Sequence, residues 1–305
     1  ENWADHADEN LYYQVKAYDV AGNEAISTER SVSIKEVPAP VVEITSTYNE
    51  WESGTVTIDV TATTEEGTIQ DVLFQYSLDN ETWYDIGHDT ESPYSVDWDT
   101  TALITVDDSV WVKVTATNDS GLTSEDTVEE SFGVDNVKPT SSDDYDGELR
   151  KEDFVITLTA DDGSGSGIAS INYKINDGET RSVAVDGQPK IDTERADNKL
   201  EYWSVDNAGN EEEHHTLSSI KIDDTAPTTS DDYDGNWHNA DFAITLTADD
   251  GAGSGIASVN YKIDGGDTMS VSANGQPIIS AQGGKSTLEY WSVDNAGNEE
   301  THKTV

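Results

Sequence analysis

The stretch Leu200-Glu201-Tyr202-Trp203-Ser204-Val205-Asp206-Asn207-Ala208-Gly209-Asn210-Glu211-Glu212 recurs without a single change at 288–300, an offset of 88 residues. A worn copy stands at Tyr18-Asp19-Val20-Ala21-Gly22-Asn23-Glu24, and a fainter one at Thr117-Asn118-Asp119-Ser120-Gly121. Self-similarity at a fixed period decides architecture before any local reading, since each repeat is one supersecondary unit. The stretch alternates like a half-buried strand, with Leu200, Tyr202 and Ser204 toward a core and Trp203 on the other face. Asp-Asn-Ala-Gly-Asn is turn chemistry. The chain reads as a string of about four modules built on one strand and turn.

Around that stretch lie twin repeats, 137–224 and 225–305, which align without a gap and are about two-thirds identical. Each opens on a proline linker at Pro139 or Pro227, followed by Asp-Asp-Tyr-Asp-Gly at 143–147 or 231–235. An alternating strand from Phe154 or Phe242, a Gly-rich turn at 161–167 or 249–255, and a strand ending in a hairpin turn at 176–178 or 264–266 complete the pattern. Upstream, 37–136 opens with Val37-Pro38-Ala39-Pro40, a stiff linker. Strand candidates follow at 41–45, 55–62, 71–77, 83–86, 94–97, 111–117 and 127–134. Seven short strands in under about 100 residues point to an immunoglobulin-like sandwich. Residues 1–36 read as two strands, 11–19 and 31–34, that complete the C-terminal part of a further sandwich. The expected fold is all-β, tandem immunoglobulin-like sandwiches arranged as an extended rod. Both ends fall inside modules, so the chain reads as an excerpt from a longer protein.

Composition narrows the partners. Sixty-three acidic residues against sixteen basic ones give a formal net charge of −47. Such a chain repels nucleic acid and anionic membranes and attracts cations. There is no cysteine, so neither disulfides nor thiol chemistry are available. No run approaches the roughly 18 apolar residues of a membrane span, so no direct membrane insertion is expected. A polyanionic coat suited to high salt and a set of divalent-cation sites both answer this acidity.

In combination, Asn236-Trp237-His238, Leu-Thr-Ala-Asp-Asp, Gly-Ser-Gly-Ile, Tyr-Lys-Ile-Asp-Gly-Gly and Tyr-Trp-Ser-Val-Asp-Asn-Ala-Gly-Asn resemble the OmpL47-type β-domain. The resemblance covers 137–305 and implies an extracellular stalk of sandwiches in a bacterial or archaeal surface protein. Residues 41–136 resemble bacterial immunoglobulin-like modules more generally, and Tyr13-x-Val15-x-Ala17 resembles the penultimate strand of fibronectin type III domains. The first repeat departs at Leu149, where the second has Trp237, which marks that tryptophan as packing rather than function.

Two cation-site patterns stand out. Ser142, Asp144, Asp146, Gly147 and Asp153 fall at positions 1, 3, 5, 6 and 12 of an EF-type loop, and Ser230, Asp232, Asp234, Gly235 and Asp241 repeat them. Serine at position 1, aspartate at position 12 and strand-like flanks depart from that pattern, and a polar turn is the alternative. Sandwich topology gives the second pattern. Asp161, Asp162, Asp206 and Asn207 lie on loops at one end of a repeat, beside a linker carrying Asp135 and Asn136. Asp249, Asp250, Asp294 and Asn295 lie there in the next, beside Asp223 and Asp224. Convergent carboxylates of this kind resemble the calcium-stiffened junctions of cadherin-like arrays; side-chain-to-backbone turn bonds are the competing account.

Catalytic constellations are missing. There is no Gly-x-Ser-x-Gly and no phosphate loop, and carboxylates are too abundant for one pair to stand out. Trp203 and Trp291 are expected beneath an edge strand or linker, with sugar stacking the alternative. His214 and His302 read as surface residues after the turn. Asn80-Glu81-Thr82 and Asn118-Asp119-Ser120 fit the glycosylation acceptor pattern. The expected function is a non-catalytic structural or adhesive segment at the cell surface, contacting neighbouring copies, other surface proteins or polysaccharide. Rival readings are a spacer or carbohydrate-binding region of a secreted polysaccharide-active enzyme, and a surface-layer or filament subunit assembling by strand addition.

Overall fold

In a computed structural model, all residues are described except 1–9, 34, 36, 104–106 and 282–283. The chain divides into two compact units, Glu1–Asn136 and Val137–Val305. Among the described residues no helix is long and apolar enough to cross a membrane.

The first unit begins with a ribbon in which Asn10–Tyr13 pairs with Arg30–Ser33 and Lys16–Tyr18 with Glu24–Ile26. The expected strand 11–19 is thus broken once, the expected strand 31–34 is found as Arg30–Ser33 with Ile34 outside the described residues, and Glu24–Ile26 was not expected. The rest of the unit is a sandwich. A three-stranded sheet of Tyr94–Asp99, Thr55–Thr63 and Val41–Ile44 faces a larger one centred on Asp107–Asn118 and Ile69–Ser77. Strict alternation along Thr55–Thr63 drives Val56, Ile58 and Val60 into a core with Phe74, Val112 and Val114. The expected final strand at 127–134 is instead two short ones. Thr123–Thr127 pairs with residues 113–117, and Phe132–Val134 pairs nearer the start of the same long strand. The short strand Trp51–Glu52, not foreseen, runs parallel to Phe132–Val134.

In the second unit both repeats use one plan. A four-stranded sheet takes the order Arg181–Ser182, Ile168–Ile175, Arg195–Asp206, His215–Ile222; its counterpart runs Met269–Val271, Ile256–Ile263, Leu288–Asp294, Lys303–Thr304. The registers match residue for residue: Tyr173 faces Tyr202 and Ile175 faces Leu200, as Tyr261 faces Tyr290 and Ile263 faces Leu288. Two small pairs face this sheet, Thr140–Asp143 with Leu158–Asp161 and Phe154–Val155 with Lys190–Ile191, with equivalents 88 residues on. Leu200, Tyr202 and Ser204 are buried as the alternation requires. The Tyr202 hydroxyl donates to Asp143 Oδ2 at 2.7 Å and Tyr290 to Asp231 Oδ2 at 2.6 Å, tying each central strand to the first strand of its repeat.

Candidate metal centre

The junction between the repeats gathers three carboxylates from three segments. Asp223 comes from the linker, Asp250 from the Gly-rich turn and Asp294 from the end of the repeated strand, and one oxygen of each lies within 4.8 Å of the others. The turn positions Asp250, whose Oδ2 accepts from Gly255 N at 2.6 Å. Asp294 is fixed by its own turn, Oδ1 accepting from Asn298 N and Oδ2 from Asn298 Nδ2, both at 2.8 Å. Asp223 Oδ2 accepts from Ser254 N at 2.6 Å. A side chain at Gly253 would bring its Cβ to 2.7 Å from Asp250 Oδ2 and 2.9 Å from Asp223 Oδ2, so glycine is what lets the turn close over the cluster.

Electrostatics leave this cluster under-compensated. Asp223 and Asp294 are buried, and Asp250 is partly so. Among the described residues, no lysine, arginine or histidine pairs with any of the three within 4.0 Å. Burial pushes the Asp250 carboxyl above its ordinary value, outweighing the Gly255 hydrogen bond, and the charges of Asp223 and Asp294 add to the rise. Its Oδ1 is buried with no hydrogen-bond partner. An orphaned carboxylate oxygen is costly, whereas a hard cation would use it. The cluster borders an open cleft of about 840 Å³ lined also by Leu149, Glu194 and Arg195.

The other expected ligands go elsewhere. Asn295 Nδ2 donates to Ser254 O, and Asn207 Nδ2 to Ser166 O, so both bind loop backbone. Asp249 and Asp161 cap their own turns through Gly251 N and Gly163 N, and Asp224 is exposed. Asp162 and Asp206 keep the loop bonds of Asp250 and Asp294, accepting from Gly167 N and Asn210 N, each at 2.8 Å. The EF-type positions do not converge. Asp144 and Asp232 accept from Thr157 N and Thr245 N, holding the next strand. Asp146 serves Glu148 N and Arg150, and Asp234 serves Asn236 N and His238. Asp153 pairs with Lys190, and Asp241 accepts from Ala281 N. Each of these carboxylates has its demand met locally, and the flanking segments are strands and turns that never wind the loop around a centre.

Two features of the repeated stretch were not foreseen. Glu212, buried behind the turn, accepts from the backbone N–H and hydroxyl of both Ser141 and Ser204, clasping the first strand to the central one. Glu300 does the same with Thr229 N and with both groups of Ser292. Trp203 is buried under the ring of His214, stacked at 4.0 Å, with Lys174 over the indole at 5.2 Å. Trp291, His302 and Lys262 repeat this at 3.9 and 5.4 Å. The cover expected over the tryptophan thus comes from the turn into the edge strand, and the histidines are its lid. Identity at 88-residue spacing was the available sign for both features. Trp237, expected to pack, is 86% exposed.

Residues 40–106 match the family model of the bacterial Ig domain. No curated protein matches the chain. Among solved structures, the chain is similar to the fibronectin(III)-like modules of CbhA from Clostridium thermocellum, at 20% identity over 60% of this chain and 95% of that one, TM-score 0.39. It is also similar to a 1.5-MDa bacterial ice-binding adhesin, at 16% identity over 88% and 97%, TM-score 0.34. A third likeness is to latent PorU from Porphyromonas gingivalis, at 12% identity over 91% of this chain and 35% of that one, TM-score 0.23.

Proposed function

We propose that this chain is a non-catalytic structural or adhesive segment of an extracellular or cell-surface protein, and that calcium held by Asp223, Asp250 and Asp294 fixes the junction between its two C-terminal repeats. The observation behind the calcium reading is the convergence of three carboxylates, one of which, Asp250, keeps a buried Oδ1 with no hydrogen-bond partner. Two carboxylates about 4 Å apart repel by roughly 4 kcal/mol at an effective dielectric of 20, so three need a counter-ion or a shared proton. Calcium takes six to eight oxygen ligands. The three side chains would supply part of that set, with backbone carbonyls and water completing it. A bound ion would join linker, turn and strand end, and so restrict bending where the two repeats meet. The structural role rests on the internal repetition and on the −47 charge, which keeps an exposed segment soluble and away from anionic partners.

Thermal unfolding of the full chain in excess chelator, then in millimolar calcium at fixed ionic strength, tests the reading. A native-state ligand at one hundred times its dissociation constant adds about 2.7 kcal/mol. Asp250→Asn is expected to bind one calcium fewer by equilibrium dialysis and to raise the metal-free midpoint by relieving repulsion. A calcium shift no larger than that of matched sodium, or unchanged stoichiometry in Asp250→Asn, would sink the proposal.

A further inference from the structure

Two acceptor triplets, Asn80-Glu81-Thr82 and Asn118-Asp119-Ser120, lie in the first unit, and the fold treats them differently. Asn118 is fully buried at the end of the long strand Asp107–Asn118. Its Oδ1 accepts from Ser120 N at 3.1 Å and from Leu122 N at 3.0 Å, and its Nδ2 donates to Pro38 O at 3.2 Å. Both ends of that carboxamide are engaged, one by its own turn and the other by the linker. Asn80 is the opposite case. It stands exposed in the turn 78–83 that joins the paired strands Ile69–Ser77 and Tyr84–Asp89. Its φ of +57° is a left-handed conformation that asparagine tolerates. The turn is held from Asp79, whose Oδ1 accepts from Thr82 N at 2.6 Å, Glu81 N at 2.8 Å and Ser77 Oγ at 3.0 Å. Asp79 Oδ2 accepts from the exposed Thr82 hydroxyl at 3.0 Å. Among the described residues the Asn80 carboxamide makes no hydrogen bond, so the shape of the turn does not depend on it.

We propose that Asn80 is the acceptor of an N-linked glycan, with Thr82 as the hydroxyl residue of its triplet and Asn118 excluded by burial. The triplet belongs on a surface loop of an exported chain, so the assignment rests on the extracellular reading given above. In the transfer, Asn80 Nδ2 bonds to C1 of the first sugar of a lipid-phosphate-linked oligosaccharide, the donor used by the exporting cell's transferase. The C1–O bond to phosphate breaks, the phosphate leaves with that electron pair, and Nδ2 gives up one proton to the transferase. No hydrogen bond of the fold is lost, and the bulky, hydrated product stands at a turn that faces solvent. At Asn118 the same step would cost the bond to Pro38 and bury a sugar beside the linker.

The test exports the full chain, behind a secretion signal, from a cell that glycosylates asparagine, and reads the intact protein and its peptides by mass spectrometry. One glycan is expected, on the peptide that holds Asn80. Asn80→Asp, which keeps the side chain's shape and the left-handed conformation, is expected to abolish it, as is Thr82→Ala. Thr82→Ser and Ser120→Ala are expected to leave it in place. An exported chain without a glycan would overturn the proposal. So would a glycan on Asn118 that Ser120→Ala removes, or modification of Asn80 that survives Thr82→Ala. Because the signal forces export, failure of the extracellular reading shows separately, as retention of the native protein inside the cells that make it.

Discussion

The first and second repeats of the C-terminal unit share a strand and turn without a single difference, and everything that strand holds by itself is the same in both. Glu212 and Glu300 clasp the same positions, His214 and His302 lid the same tryptophans, and the sheet registers agree pair for pair. What differs is whatever depends on a neighbour. Leu149 borders the cleft beside Asp223, while its counterpart Trp237 is exposed. Local structure follows local sequence.

The sharpest way to break that comparison is to remove the clasp. Glu212→Ala takes the acceptor from the buried N–H and hydroxyl of Ser204 and from the half-buried pair of Ser141, and is expected to cost about 3 kcal/mol. Glu300→Ala should cost the same within about 0.5 kcal/mol if the shared stretch sets the clasp, which paired denaturant unfolding would measure. Burial raises the Glu212 and Glu300 carboxyls, but the hydrogen bonds outweigh it and hold both below the ordinary 4.5. A depressed folded value means this stability is full above pH 4.5 and is lost as pH falls through the folded value. Acid titration of both variants should therefore flatten the loss seen in the parent.

A smaller effect is expected at the histidine lids. The hydrogen bond to Glu201 holds His214 protonated above its usual range against partial burial, and Glu289 does so for His302. Protonated, each ring sits between two glutamates over an indole, a contribution below about 1 kcal/mol per repeat at this exposure. It is present below pH 6.5 and lost as pH rises through the raised folded value. Tryptophan emission should change over that window, and His214→Gln and His302→Gln should each remove half of the change. Unequal halves would show that the two lids are not equivalent. The least effect is expected of Trp237→Leu, which restores the first repeat's residue at an exposed position and should shift stability by no more than about 0.5 kcal/mol.

Much of the fold was legible because alternation in Thr55–Thr63 and in the 200–206 stretch is strict and the 88-residue offset has no gap. The broken final strand of the first sandwich was not, since nothing local distinguishes a strand from two halves paired to different stretches of one neighbour. For the carboxylate clusters, spacing and topology pointed to different residues. Counting along Ser142 to Asp153 found a loop whose carboxylates serve separate backbone partners, whereas placing the two turns and the linker at one sandwich end brought Asp223, Asp250 and Asp294 together. The clasp was missed because a glutamate after a turn, next to two more in Glu211-Glu212-Glu213, looks like a solvated face until its carboxylate is seen behind the sheet.

Identical central strands in adjacent repeats have a consequence for how the chain reaches its native state. Leu200 to Asp206 and Leu288 to Asp294 offer each sheet the same side chains and the same ladder, so during refolding neither sheet can tell its own strand from its neighbour's. Swapped pairings between adjacent similar modules are a characteristic failure of tandem arrays. Here a few facing residues, Ile171 against Val259, Ser141 against Thr229, His215 against Lys303 and Leu217 against Val305, separate right from wrong. Order of emergence from the ribosome therefore matters more to this chain than to one whose modules differ: the first repeat can close on its own strand before a rival exists.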